Sequence, residues 1–298
     1  MSTLVLLLPD FALILLGVGL RRYAGFSEAF WSGLEKLVYF VLFPALLFQA
    51  LARATLDPAT ALPLLGCGLA VMLAGLLLGW VAKPFMGLTP IAFASRLQCA
   101  YRFNTYIGIA VAGTVHGPAG IAVMGALCGA MVPFANVAAV SALARHGDSR
   151  LILELARNPL ILATLAGLAF NLGGYVLPQP VGHFLGRLAE ASISLGLLAV
   201  GAALHWGRTE GHALGSAWIV AVRLLILPAL AWWLAPLLGL TGVARDIAVL
   251  FAALPSASSA YILAVRMGGD GVGVAWLVSA TTLGSMLTLS LWLYLLRL

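Results

Sequence analysis

Charged residues are scarce in this sequence, and their scarcity decides the class of protein. Only 9% of the 298 residues are Asp, Glu, Lys or Arg, whereas 62% are hydrophobic. Soluble globular domains carry about 25% charged residues, so this composition excludes a soluble domain. The net charge of +6 does not indicate nucleic-acid binding, because the basic residues lie between apolar runs, where they act as topology signals. The composition predicts a polytopic helical membrane protein.

Residues for metal, redox or hydrolytic chemistry are also few. The only cysteines lie inside apolar runs, with no spacing typical of disulfides or metal sites: Cys67, Cys99 and Cys128. We therefore expect no cofactor and no metal. Asp10 is the only acidic residue predicted away from a membrane interface, and the lack of a paired Asp disfavours sodium/proton antiport. An intramembrane enzyme is disfavoured because Ser258 and Ser259 have no His at membrane depth in their own half.

Long apolar runs, in contrast, fill the chain. A transmembrane helix needs about 20 apolar residues, and ten such runs can be identified. The predicted spans are 4–20, 33–52, 60–82, 93–115, 119–144, 159–177, 187–206, 213–235, 245–267 and 272–296. The predicted fold is an all-α polytopic membrane protein with ten transmembrane helices in a single domain, 1–298. The longest polar segment, 145–158, has no room for a second domain.

The distribution of basic residues predicts the orientation in the membrane. The first apolar run is followed by Arg21-Arg22, which is typical of an uncleaved first helix with its N-terminus outside. Ten of the 16 Lys and Arg residues then lie on the inner side. The others lie on the outer side or within spans: Arg53, Arg187, Arg245 and Arg297, then Arg102 and Arg223. The positive-inside rule therefore predicts the cytoplasmic (inner) membrane, with both termini extracytoplasmic.

An internal repeat relates the two halves of the chain. At an offset of 152 residues, five residues recur: Trp80/Trp232, Pro84/Pro236, Gly87/Gly239, Leu88/Leu240 and Thr89/Thr241. The predicted repeats are 1–145 and 159–298, joined by a cytoplasmic linker, 146–158. Since each half has five spans, the second half must be inverted in the membrane. Inverted repeats place a binding site near the bilayer midplane, at the repeat interface.

Two polar interruptions lie at matching positions of the repeat. One is Tyr101-Arg102-Phe103-Asn104-Thr105-Tyr106 in span 4, and the other is Leu254-Pro255-Ser256-Ala257-Ser258-Ser259 in span 9. Backbone that leaves a helix inside a bilayer must find partners in protein or in a water-filled cavity. Paired broken helices in corresponding positions of two halves are typical of a transporter's binding site. A receptor or a structural membrane protein would not need them.

Four motifs resemble the auxin efflux carrier family, and the resemblance covers essentially the whole chain. They are Phe43-Pro44-Ala45-Leu46-Leu47-Phe48, Arg102-Phe103-Asn104-Thr105-Tyr106-Ile107-Gly108, Pro133-Phe134-Ala135-Asn136-Val137 and Ala253-Leu254-Pro255-Ser256. The resemblance implies a crossover of broken spans 4 and 9, as in plant PIN carriers. It implies elevator-type transport of small carboxylates such as malate, malonate or lactate. It also implies a scaffold of spans 1, 2, 6 and 7 that forms a homodimer.

Departures from the plant carriers are also clear. This sequence lacks their long central loop and has Phe103 where their span 4 carries a proline. The predicted function is a secondary transporter that moves a small organic anion across the membrane. The alternative is a sodium- or proton-coupled organic acid symporter of the related bile-acid-symporter-like fold. The expected partners are the anion, the lipid bilayer and a second copy of the chain, and not nucleic acid.

Candidate binding residues cluster at the two interruptions. Arg102 is about ten residues into span 4, where a charge costs at least about 2.5–3.5 kcal/mol. Its guanidinium fork matches a carboxylate, and the ends of the half-helices supply further donors. The alternative is that Arg102 snorkels or pairs with backbone carbonyls. The other candidates are Phe103, Asn104, Thr105, Tyr106, Pro255, Ser256, Ser258 and Ser259. For their hydroxyl groups, the alternative is a bond to the backbone of their own helix.

Several polar or helix-breaking residues have two possible roles. Arg223, ten residues into span 8, either binds substrate or holds the carbonyl ends of the broken helices. Asn136 in span 5 contacts either the break of span 4 or the ligand. Pro44 in span 2 is either a packing kink or part of a cavity lining. For His116 and His205, an interfacial position is favoured over a proton relay.

Overall fold

The computed structural model describes residues 3–53, 58–143, 159–204 and 213–297. All regular secondary structure in these ranges is helical, so the predicted all-α class is confirmed. The predicted linker, 146–158, and His205 lie outside the described residues. The helices are α1 (Thr3–Tyr23), α2 (Glu28–Ala52), α3 (Pro58–Val81), α4 (Lys83–Met86), α5 (Pro90–Leu97), α6 (Thr105–Leu143), α7 (Pro159–Leu172), α8 (Gln179–Ala202), α9 (Ala213–Leu237), α10 (Gly242–Ala253), α11 (Ser259–Arg266) and α12 (Gly271–Leu296).

Six helical stretches of the described residues are long and apolar enough to cross a bilayer. They are Glu28–Ala52, Ala59–Val81, Pro90–Leu143, Gln179–Ala202, Ala213–Leu237 and Gly271–Leu296. Pro90–Leu143 is 54 residues long, about twice the length needed for one crossing. It bends at Gly117, whose backbone is not helical (φ 59°, ψ −146°). This bend coincides with the Gly117-Pro118 turn between predicted spans 4 and 5. The count of ten spans stays a prediction.

Two helices begin earlier than the apolar pattern predicts. α2 begins at Glu28, five residues before the predicted span, because the Ser27 hydroxyl accepts the N–H of Phe30 at 3.2 Å and so caps the first turn. α8 begins at Gln179, although the Pro178-Gln179-Pro180 run reads as a turn. Pro180 lies in the first turn of α8, where a missing N–H costs no hydrogen bond.

Two helices change their winding just before a proline. α2 contains a π-helical turn, Val38–Leu42, ahead of Pro44, and α9 contains another, Val222–Ile226, ahead of Pro228. A proline leaves the carbonyl four residues earlier without its helical donor. In α9 that carbonyl, at Leu224, accepts the indole N–H of Trp292 from α12 at 3.0 Å. Neighbouring side chains thus satisfy irregular backbone inside the apolar layer.

The helices pack in two groups. The first group contains α1, α2, α7 and α8: α8 packs on α1 and on α2, and α2 also packs on α7. In the second group, α10 packs on α3, α6, α9 and α12. Glycines allow the closest approach in the first group, where a Cβ on Gly201 would stand 1.9 Å from the Ile14 carbonyl oxygen. Such small residues are typical of tight helix packing in membranes. α6 also contacts α1, α2, α7 and α8, so it lies at the boundary between the groups.

Residues related by the sequence repeat occupy equivalent local structures. Gly87 follows α4 with φ +61°, and its repeat partner Gly239 follows α9 with φ +74°, a conformation that favours glycine. Thr89 is the N-cap of α5, and its repeat partner Thr241 is the N-cap of α10. The matching positions therefore mark the same turn before each interrupted helix.

Candidate functional site

The first interruption separates α5 from α6. α5 is followed by a 3₁₀ turn, Gln98–Ala100, and by non-helical backbone at 101–104. Helix α6 then begins because the Asn104 side chain caps it. Its Oδ1 accepts the backbone N–H groups of Tyr106 at 3.1 Å and Ile107 at 3.2 Å. The span 4 helix is therefore broken at the predicted place, although the chain has no proline there.

Phe103 fills the position where plant carriers have proline. Its side chain is buried, and its ring lies 4.5 Å from that of Phe251 on α10. An aromatic side chain at this position thus packs the two interrupted helices against each other. We assign Phe103 this packing role from its contacts.

The second interruption separates α10 from α11. α10 ends at Ala253, and Leu254 has extended backbone (φ −62°, ψ 143°). Residues 254–258 are not helical, and α11 begins at Ser259. Because Pro255 has no N–H, it cannot continue the hydrogen bonding of α10.

The two interruptions contact each other directly, and we name residues 98–104 and 254–259 the crossover. The backbone N–H of Asn104 donates to the carbonyl of Pro255 at 2.9 Å. The Ser256 hydroxyl donates to the carbonyl of Cys99 at 2.7 Å. Each break thus satisfies backbone groups of the other, as irregular backbone at membrane depth requires.

Arg102 is a buried cation that has no counter-ion in the part of the chain that the structure describes. Its side chain is 7% exposed, and Nη2 donates to the Ser259 hydroxyl at 3.0 Å. Its Nη1 is buried and has no hydrogen-bond partner. The ion pairs of the described residues are Arg21–Glu28, Arg96–Asp270 and His116–Asp246, so none includes Arg102. A buried unpaired charge is strongly unfavourable, and an anion bound here would relieve that cost.

Other buried polar atoms of the same region also lack partners. They are Asn104 Nδ2, Tyr101 Oη, both amide atoms of Gln98, and Thr282 Oγ1 on α12. Asn104 is the most informative, because its Oδ1 is fully used in capping α6 while its Nδ2 remains available. Native proteins leave few buried polar groups unpaired, so these atoms are candidate ligand-binding groups. Hydrogen-bond donors around a guanidinium are a suitable environment for a carboxylate.

Arg223 contacts the crossover from α9 and has different partners. It is fully buried on α9, and its Nε donates to the Leu254 carbonyl at 2.5 Å while Nη2 donates to the Phe251 carbonyl at 3.3 Å. Carbonyl groups at the end of a helix carry partial negative charge, which a cation stabilises. Of the two roles predicted for Arg223, this geometry fits the holding of carbonyl ends. A substrate role for Arg223 stays a prediction.

The structure brings some predicted site residues together and leaves others apart. Arg102, Phe103, Asn104, Pro255, Ser256 and Ser259 meet at the crossover. Thr105 and Ser258 are half-buried beside it, and Tyr106 packs on Phe43 of α2. Asn136 is half-buried on the second segment of α6, and no hydrogen bond of the described residues joins it to the crossover. Pro44 lies next to Phe43 and after the π-helical turn of α2.

Helix α12 contributes to the crossover, which the sequence patterns did not predict. The hydroxyl of Thr281 accepts the backbone N–H of Ser256 at 3.2 Å, and Thr282 is buried beside it. A signal was present, because Thr281-Thr282 is a polar pair about ten residues into span 10, the same depth as Arg102 in span 4. Gln98 was also missed, although it is a neutral polar residue at membrane depth.

Ion pairs link the interrupted helices at both ends of the crossover. Arg96 of α5 is buried and pairs with Asp270 at 2.6 Å, and Asp270 also caps α12 through Gly273 at 2.8 Å. At the other end, His116 of α6 lies 3.0 Å from Asp246 of α10. From the sequence, Arg96 counts as a charge on the inner side. In the structure it is a buried residue of α5, paired across the two halves.

Comparisons with known proteins identify the family of this chain. Residues 143–293, half of the chain, match the family model described as "Membrane transport protein". An "Uncharacterized transporter" of Methanothermobacter thermautotrophicus is 28% identical, over 98% of this chain and 95% of the relative. A "Putative malonate transporter" of Rhizobium meliloti is 25% identical over the same shares. The chain therefore belongs to the membrane transport protein family, whose members are membrane transporters and not enzymes, and its resemblance to auxin efflux carriers is confirmed.

Proposed function

We propose that this protein is a secondary transporter that carries a small carboxylate across the cytoplasmic membrane. The observation that carries the proposal is Arg102: a buried guanidinium at the meeting of two helix breaks, with a free Nη1 and no counter-ion among the described residues. Arg223 also has an Nη1 without a partner among the described residues, but its Nε and Nη2 bond to two carbonyls, whereas Arg102 bonds only to the hydroxyl of Ser259. A transported anion must find donors that are free when it arrives.

The proposed site accepts one carboxylate group. Arg102 Nη1 and Asn104 Nδ2 donate to its oxygens, and the Ser259 hydroxyl holds the guanidinium in place. Hydrogen bonds to a charged group are worth about 1.5–3 kcal/mol each, which suffices for a binding site that must also release its ligand. Malonate is the first probe, because a relative with similar length carries that substrate in its name.

The proposed mechanism is an elevator-type movement of the crossover. The first packing group, α1, α2, α7 and α8, corresponds to the scaffold implied by the resemblance, which forms the homodimer. The crossover lies in the second group, held by hydrogen bonds and ion pairs that join its own helices. A substrate bound at Arg102 would therefore move with the second group as one body. The inverted repeat supplies the two end states of that movement.

Binding to purified protein tests the proposed site. Malonate should raise the melting temperature of the wild type, because a ligand that binds the native state stabilises it. Arg102→Lys keeps the charge but loses the fork, so the affinity should fall in part; Arg102→Ala should lose at least about 1.5–3 kcal/mol, roughly tenfold or more. Arg21→Ala, which removes an exposed pair with Glu28, is the control. Folded Arg102→Ala with wild-type affinity would refute the proposal.

Cross-linking tests the elevator. Two neighbouring residues of α6 contact different packing groups of helices. Thr114 donates a hydrogen bond to Asp10 of α1, in the first packing group, at 3.0 Å. His116 lies 3.0 Å from Asp246 of α10, in the second packing group. In a background without native cysteines, a cysteine pair at 10 and 114 should block transport when bridged. A pair at 116 and 246 should leave transport intact. The opposite pattern would reject a moving body formed by α6 and α10.

Two further measurements fix orientation and coupling. Tyr175→Cys, exposed between α7 and α8, should react with an impermeant thiol reagent from outside the cell, since the predicted orientation places this loop outside. Uptake of malonate into proteoliposomes, measured with and without sodium and proton gradients, distinguishes uniport from the coupled symport alternative. A requirement for either gradient would establish the symporter.

A further inference from the structure

A cavity opens between α2 and α8, with the bend of α6 as its third side. Its inner part, about 470 Å³, has a largely apolar lining that includes Leu46, Pro118, Ile121 and Ile193. Its outer part, about 620 Å³, has a polar lining that includes Arg53, His183, Arg187 and Glu190. Arg53 and Glu190 line both parts, so the two parts are continuous. The predicted orientation places the outer part on the extracytoplasmic side.

An aromatic pair lies one helical turn deeper than the inner part of this cavity. Phe43 lies one helical turn deeper than Leu46 on α2, and Gly196 one turn deeper than Ile193 on α8. The ring of Phe43 meets that of Tyr106 edge to face, with 4.5 Å between centroids. These rings pack on Gly196, where an added Cβ would stand 3.1 Å from Phe43 Cε2 and 3.4 Å from Tyr106 Cδ1.

The crossover begins directly behind this aromatic pair. The backbone N–H of Tyr106 is bound by Asn104 Oδ1, so the gate ring and the proposed anion donor are two residues apart on one capped turn. The Tyr106 ring, the capping residue Asn104 and the buried cation Arg102 thus lie within five consecutive residues of the chain.

We propose that this cavity is the route by which the anion reaches the crossover from the extracytoplasmic side, and that Phe43 and Tyr106 form its gate. The inference rests on the proposed function, because it takes Arg102 as the destination. The wall charges suit a carboxylate, since the two guanidinium groups of Arg53 and Arg187 outnumber the one carboxylate of Glu190 and create a positive field that attracts anions. The gate lies where α6 meets α2 and α8, the boundary that an elevator movement must alter.

Chemical blocking tests the route. In a background without native cysteines, Ile193→Cys should react with an impermeant, negatively charged thiol reagent added outside, and malonate uptake should then fall at least tenfold. Val181→Cys, which is exposed on α8 and does not line the cavity, should react without loss of uptake. Reaction only from the cytoplasmic side, or a modified Ile193→Cys protein with normal uptake, would overturn the proposal.

Accessibility behind the rings tests the gate. Thr105→Cys should react at least tenfold faster from outside when combined with Phe43→Ala, because the proposed gate then lacks one of its two rings. Leu47→Ala is the matched control: Leu47 is an equally buried residue of α2, but it faces Gly125 on α6. Equal labelling rates in the two backgrounds would refute the gate.

A small addition at the base of the gate gives an independent test. Gly196→Ala should slow malonate uptake severalfold, because its Cβ holds the two rings together, without weakening equilibrium binding. Gly66→Ala, where the structure leaves open space around the added Cβ, should change neither quantity. These tests are separable from the proposed function. Malonate binding that does not depend on Arg102 would refute the site, whereas unchanged labelling and uptake with intact Arg102-dependent binding would refute only the gate.

Discussion

Asn104→Asp separates the capping role of this side chain from its proposed role in binding. The amide has two ends with different contacts: Oδ1 accepts two N–H groups of α6, and Nδ2 is buried without a partner. Aspartate preserves the acceptor and replaces only the donor. A carboxylate is also a good cap, because the helix N-terminus carries partial positive charge. Folding should therefore be retained in the aspartate variant.

Anion binding should not survive this change. Loss of a hydrogen bond to a charged ligand costs about 1.5–3 kcal/mol. Two like charges about 4 Å apart at an effective dielectric constant of about 20 repel by roughly 4 kcal/mol. Either effect alone lowers affinity about tenfold or more, and together they exceed a hundredfold. The introduced carboxylate would itself serve as the counter-ion of Arg102.

The assay is isothermal titration of purified protein with malonate, together with thermal unfolding. Asn104→Ala should lose the cap, at about 0.5–2 kcal/mol, as well as the donor. Thr89→Ala is the matched control, because Thr89 caps α5 through Ala92 at 3.4 Å, away from the crossover. It should lower stability by a similar amount and leave affinity unchanged. If folded Asn104→Asp bound malonate as tightly as wild type, the reasoning about Nδ2 would be wrong.

Three further changes probe how the helices are held together. Gly201→Leu should sharply lower the melting temperature and the yield of folded protein, because the backbone of α1 occupies the space that a leucine side chain would need. Gly19→Ala is the control, because the structure leaves open space around the added Cβ. Arg223→Ala should lower folded yield more than malonate affinity, since it removes bonds to two buried carbonyls and leaves that of Leu254 without a partner among the described residues, at about 1–3 kcal/mol; a large loss of affinity in folded protein would assign it to the site. Arg96→Met should lower the free energy of unfolding by about 3–5 kcal/mol, because Asp270 then keeps a partly buried charge without a partner. Combining Arg96→Met with Asp270→Asn should cost less, because no uncompensated charge remains. Additive losses in unfolding measurements would contradict a direct pair.

The two breaks could be predicted from the sequence, since a polar run inside an apolar span is costly unless the helix is interrupted there. How each break is satisfied could be predicted only in part. The cap of α6 by Asn104 could have been inferred from residue type and position, because Asn is a preferred N-cap. The bond from Ser256 to the Cys99 carbonyl could not, because it depends on how two segments 157 residues apart are brought together.

Helix ends and buried charges were harder to predict, for related reasons. Pro178-Gln179-Pro180 suggests a turn on local grounds, but a proline in the first turn of a helix is equally favourable, and packing decides between the two. The charge of Arg96 alone suggested a position outside the core. Its burial depends on Asp270, which the chain reaches only after 174 residues. Local patterns cannot supply such partners.

The ion pairs at the two ends of the crossover allow this region to be both irregular and rigid. A break in a membrane helix removes the hydrogen bonds that keep its two halves aligned, so each half needs another attachment. Arg96–Asp270 attaches α5 to the start of α12, and His116–Asp246 attaches α6 to α10. Each attachment joins the first half of the chain to the second, as the Asn104–Pro255 and Ser256–Cys99 bonds do at the centre. Our proposal that Arg102 binds an anion depends on these attachments, because its guanidinium must stay on the Ser259 hydroxyl and not move onto a backbone carbonyl, as that of Arg223 does.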